Sequence, residues 1–216
     1  MAYDHAEQEQ LAGLKSWWEQ YGNLVTWVLI IALGAFAAWK GWAYYQTRQT
    51  AQAAQLYEEL QRAVQAKDKE QIQRAAEDMQ SRFSGTAYAQ MSGLAAAKAA
   101  FDAGDFQVAK TRLQWVADKA RDDEYQAIAK VRLAGILLDE KAYDEGLKVL
   151  DGKFPAQFAG VVADRKGDIL VAQNKLEEAR AAYQTAIEKT DARSTGRQLI
   201  QIKLDAIGGA PAADAA

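Results

Sequence analysis

Adjacent acidic residues are the first candidates for chemistry in this sequence: Asp122 with Asp123, Glu58 with Glu59, and Glu177 with Glu178. Two carboxyls can act on one substrate when both face it across a gap of about 5–10 Å. Neighbouring residues in a helix or loop point apart, so these pairs read instead as solvated helix faces and N-caps. His5 is the single histidine and cysteine is absent. That removes histidine-dependent triads, thiol chemistry and most metal sites. Gly160 and Gly167 flank VVADRK, but no strand precedes them and no phosphate-binding loop follows, so they read as sites of close helix packing or a turn. No catalytic, cofactor-binding or metal-ligating residue is assigned. The chain reads as a non-enzyme.

The elements that would position a binding surface instead are helical. Half of the 216 residues are hydrophobic, 45 are alanine and only two are proline. Alanine is the best helix former and proline the strongest breaker, so composition points to an all-α protein. A net charge of −3 gives no basic face for nucleic acid.

Hydrophobicity is concentrated near the N-terminus. Twenty charge-free residues lie between Glu19 and Lys40, enough helix to cross the hydrocarbon of a bilayer. Trp17, Trp18 and Tyr21 precede the run, and Trp39, Trp42, Tyr44 and Tyr45 follow it, as two interfacial aromatic belts would. The acidic residues before Lys15 do not suit a cleaved signal peptide, so residues 22–44 are expected to be a retained transmembrane helix after a short N-terminal tail, 1–21. Basic residues number one before the span (Lys15) and two after it (Lys40, Arg48). Taken literally, that count places the C-terminal region in the cytoplasm. Within the span, Gly34, Ala35, Ala37 and Ala38 are the candidate contacts for a partner helix.

Residues 46–208 carry a repeat. Ile72, Phe106, Tyr143 and Leu176 each open a helix and are followed three residues later by Ala75, Ala109, Gly146 and Ala179, with spacings of 34, 37 and 33 residues. That is close to the tetratricopeptide period. Ala97, Ala134 and Gly167 supply the small position of each first helix, and Leu113, Leu150 and Tyr183 fill the gaps between units. The expected fold is a transmembrane helix followed by a tetratricopeptide-like helical-repeat solenoid, with residues 209–216 a low-complexity, disordered tail. By repeat register, the groove-facing positions are Lys98, Phe101 and Asp102 in one unit, Val131, Leu138 and Asp139 in the next, and Asp164 and Asp168 in the third. Mixed apolar and charged residues suit an extended peptide or a partner's helix.

The chain resembles the YfgM family of bacterial inner-membrane proteins, ancillary subunits of the Sec translocon. The resemblance rests on the acidic tail, KSWWEQYGN before the span, WKGWAYYQ after it, VVADRKGDILVAQNKLEEARAAYQTAI and LIQIKLDAI. Lys166 departs from it, standing where a repeat places an apolar residue. The resemblance implies a single-pass type II protein of the inner membrane with a periplasmic repeat domain, against the basic-residue count; the repeat domain itself is expected to be a monomer. The resemblance also implies the SecYEG channel and the membrane-anchored periplasmic chaperone PpiD as partners, no cofactor, and a role assisting newly translocated proteins. A cytoplasmic repeat domain that sequesters a soluble stress-response regulator is the alternative. Intact mass of the purified protein is expected to include the whole span; a mature N-terminus near Ala38 would contradict the anchor.

Overall fold

Nothing between Ala2 and Ala66 is a proline, and α1 runs through all of it as one helix, Ala2–Ala66. The computed structural model describes the backbone of residues 2–209 and the side chains of residues 13–209. The expected disorder of residues 210–216 and the surroundings of the His5 side chain therefore lie outside the described residues. The chain divides into two units, Met1–Ala51 and Gln52–Ala216.

In the first unit the helix already begins at Ala2, so the stretch expected as a tail is helical too. It is long and apolar enough to cross a membrane. A helix of a soluble core would cover its apolar side chains, whereas Ile31 is 67% exposed and Leu33 66%. Both aromatic belts are exposed as well, and the Lys40 ammonium lies 5.6 Å from the Trp39 ring centroid.

The second unit begins with the last turns of α1. Then follow α2 (Lys69–Arg82), α3 (Ala87–Asp102), α4 (Phe106–Lys119), α5 (Asp123–Asp139) and α6 (Tyr143–Leu150). A short 3-10 turn (Ala156–Phe158) leads to α7 (Ala159–Ala172), α8 (Leu176–Lys189) and α9 (Thr195–Ala206). No strand occurs among the described residues. The helices pair in the expected order: α3 with α4, α5 with α6, α7 with α8, with α9 packed on α8.

The same turn occurs four times, between α1 and α2 and within each of the three pairs. Lys67, Gly104, Lys141 and Asn174 all have φ between 55° and 77°. The next residue's N–H bonds the carbonyl five back: Asp68 to Ala63, Asp105 to Ala100, Ala142 to Leu137, and Lys175 to Leu170, at 2.8–3.0 Å. This left-handed stop satisfies carbonyls that the helix end leaves free, and it reverses the chain within two residues after α1 and three after α3, α5 and α7. After two of these turns a side chain caps the helix that follows: Asp68 accepts from Gln71 N and Asp105 from Val108 N, while α6 and α8 start without a side-chain cap; Asp122 caps α5 by accepting from Glu124 N.

Packing follows the register of small residues. Ala109, Ala134 and Ala179 are completely buried and Ala97 nearly so. A β-carbon on Gly146 would stand 2.9 Å from Ile169 Cδ1, and one on Gly167 would stand 2.5 Å from Tyr183 Cδ1. Leu113, Leu150 and Tyr183 are buried, as the gap-filling role requires. Each such side chain contributes about 1.5–3 kcal/mol by leaving water. Lys166, at an otherwise apolar position, donates to Asp151 Oδ1 at 2.6 Å. Gly167→Ala should force the Tyr183 ring aside and lower the melting temperature, at a cost of about 1–3 kcal/mol. Gly135→Ala, whose β-carbon would meet only the Arg165 guanidinium at 3.6 Å, should hold or raise it. Equal melting temperatures for the two variants in a thermal scan would contradict this packing.

Candidate binding groove

The first helices α3 and α5 present one side each to a shared hollow of about 400 Å³. From α3 come Lys98, Phe101 and Asp102; from α5 come Arg132, Gly135, Ile136 and Asp139, at spacing i, i+3, i+4 and i+7. Leu113 of α4 lies in the floor and Arg165 of α7 lies at the edge. Phe101 is 41% exposed and meets Phe106 edge-on at 5.4 Å. Lys98 and Asp102 neutralise each other one turn apart, at 2.6 Å.

Lys98, Phe101, Asp102 and Asp139, four of the expected positions, meet in this hollow. Val131 and Leu138 do not. Val131 is buried with Ala134, Leu150, Val162 and Ile169, and Leu138 packs against the same group. The expected register slipped by one residue on α5, so Arg132 faces the hollow where Val131 was expected. The missed residues are Arg132, Gly135, Ile136 and Arg165. Spacing alone does not single out the first three, because Val131, Ala134, Gly135 and Leu138 form an equally regular i, i+3, i+4, i+7 row on α5.

Asp164 and Asp168 are placed elsewhere. Lys203 of α9 bridges them, with its ammonium 2.8 Å from Asp164 Oδ1 and 2.8 Å from Asp168 Oδ1. Asp168 also accepts from Tyr183 Oη at 2.9 Å and from Arg165 Nη1 at 3.2 Å. The two carboxylates therefore pin the last helix to α7 rather than facing the hollow. Desolvation raises the Asp164 carboxyl above its ordinary pKa of 3.8, outweighing the hydrogen bond from Lys203. Burial, and then the charge of Asp168, push the Tyr183 phenol upward, so it remains a donor.

In the first unit, helical geometry places Gly34, Ala37 and Ala38 on one side, joined there by Gly41; Ala35 points about a quarter-turn away. Nothing lies within 4 Å of a β-carbon built on Gly34 or Gly41.

The family described as tetratricopeptide repeat-like domain matches residues 15–209. Relatives carrying the name ancillary SecYEG translocon subunit match nearly end to end. That of Neisseria gonorrhoeae is 33% identical over 211 residues, covering 96% of this chain and 100% of the relative. That of Haemophilus influenzae is 29% identical over 187 residues (83% and 91%), and that of Escherichia coli 25% over 199 residues (92% and 95%). No solved structure matches significantly.

The Lys203 bridge generates an asymmetric expectation. Lys203→Met leaves two half-buried carboxylates a turn apart without their cation and should cost about 1–3 kcal/mol. Asp164→Asn removes the desolvated charge while Lys203 keeps Asp168, and should change stability by less than about 1 kcal/mol at pH 7. The sign of the pH effect follows from the raised pKa. As pH rises from 3.8 through the higher folded value, the folded state holds more protons than the unfolded state. Asp164's contribution to stability therefore falls across that window. The difference between parent and Asp164→Asn in denaturant titrations should shift in the variant's favour from pH 4 upward; a shift the other way would contradict the desolvation of Asp164.

Proposed function

The chain belongs to the YfgM family of ancillary SecYEG translocon subunits, and from that membership we propose that it is a membrane-tethered interaction protein at the periplasmic exit of the Sec channel. The observation that carries this reading is the end-to-end match to the Neisseria relative, which takes in both the apolar helix and the repeats. A translocon-associated protein with one apolar N-terminal helix fits an inner-membrane protein. The family is one of ancillary subunits with a repeat domain rather than of enzymes, and we read this chain as acting without catalysis.

In this reading the span crosses the inner membrane with the repeats in the periplasm, as type II topology requires. The Gly34–Ala38 side of the span packs against channel helices, since small residues let helix backbones approach closely in lipid. The groove at Phe101 takes segments of newly translocated chains or of an anchored chaperone such as PpiD, and the repeat domain works as a monomer. Tethering raises the local concentration of a weak site near the channel, so modest affinity suffices.

The experiment separates the two surfaces. Exchange of residues 20–39 for an unrelated span should weaken co-purification with the channel after mild detergent extraction. Phe101→Ser, at an exposed position, should weaken the chaperone or client contact and leave the channel contact intact. A reporter active only in the periplasm, fused after Ala216, should be active. A silent reporter would favour a cytoplasmic adaptor that sequesters a regulator, and parent-like co-purification of both variants would remove both surfaces from the reading.

A further inference from the structure

Charges in the groove are sorted along α5. Arg132 and Asp139 both face it, seven residues and therefore about 10 Å apart. Neither makes an ion pair among the described residues. Gly135 and Ile136 lie between them, across from Phe101. Arg165 lies over Gly135, one turn along from Arg132, its guanidinium carbon 3.6 Å from where a β-carbon would stand. Asp168 takes one of its nitrogens, while Nε is buried without a hydrogen-bond partner. Arg132 and Arg165 thus offer guanidinium groups on one side of Ile136, and Asp139, without an ion pair among the described residues, offers a carboxylate on the other.

A ligand that covers this surface removes water from both charges and must replace it with opposite charge, or bear the cost of burying them unpaired. A chain in the polyproline II conformation has three residues per turn and advances about 3.1 Å per residue, so in three residues it covers the distance between the two charges and turns the side chains at both ends of that step to the same face. From the geometry we infer that the groove selects extended peptide segments in which an acidic and a basic residue stand three positions apart with an apolar side chain between them. The acidic residue binds at Arg132 and Arg165, the basic residue at Asp139, and the apolar side chain against Phe101 and Ile136. The inference rests on the reading of this groove as the partner site and adds the class of segment that it takes.

The test uses the full chain in detergent and three labelled peptides in fluorescence anisotropy: Gly-Ser-Glu-Leu-Ser-Lys-Ser-Gly, its Lys/Lys counterpart and its Glu/Glu counterpart, with the first also synthesised with Glu and Lys exchanged. One of the two mixed-charge peptides should bind at least about tenfold tighter than either like-charged peptide. Arg132→Glu, an exposed position without ion pairs, should remove that preference and transfer it to the Lys/Lys peptide. Phe101→Ser should weaken binding of every peptide. If binding depends on Phe101 but not on the peptide's charges or on Arg132, the charge selection is overturned and the groove reading stands. If no peptide binds, or binding ignores Phe101, the groove reading falls and takes the charge selection with it.

Discussion

Where Gly167 meets the Tyr183 ring there is no room for a single methyl group, and the repeat array depends on contacts of this kind. A pair of helices cannot bury its apolar face alone, so each pair must approach its neighbours closely over the whole seam. Small residues admit large ones within pairs, where Gly93 of α3 admits Val116 of α4 and Gly167 of α7 admits Tyr183 of α8, and between pairs, where Gly146 of α6 admits Ile169 of α7. Interiors packed this tightly do not flex gradually. The first helices are therefore held at fixed spacing, and the hollow between α3 and α5 is a property of the seam behind it.

The array ends by an electrostatic device. The Lys203 ammonium between Asp164 and Asp168 fastens α9 to α7, and Arg180 donates to the Ile207 carbonyl at 2.7 Å, closing the end of α9. These polar contacts occupy acidic residues that would otherwise extend the groove. In the α3–α5 hollow, by contrast, Arg132 and Asp139 remain without ion-pair partners among the described residues. The same α9 turns Leu199 and Ile202 outward, at 55% and 64% exposure, so its outer face is not the polar cap that many arrays carry.

Much of this organisation was legible from residue types. The span announced itself through twenty charge-free residues between aromatic belts, and the helix pairs through the spacing of Phe106, Tyr143 and Leu176. The small positions Ala97, Ala134 and Gly167 were placed correctly because steric exclusion leaves few alternatives. The groove face of α5 was not legible. Seven of its residues are buried, on several sides, so no clear polar stripe marks which one is open. The repeated turn was also hidden, since only Gly104 among its four left-handed residues is the expected glycine. Asp164 and Asp168 were assigned to the groove because their partner Lys203 lies more than thirty residues further along the chain, beyond any local pattern.

Partner contact through the α3–α5 groove, rather than through the opposite surface of the second helices, is the proposal on which the functional reading rests. Site-specific photo-crosslinking in native membranes tests it most directly, with the crosslinking residue placed at Phe101 or Arg132 in the groove, or at exposed Gln114 on α4. The account predicts adducts with a translocon partner or a translocating chain from positions 101 and 132 and none from 114. Adducts from 114 without adducts from 101 or 132 would contradict it.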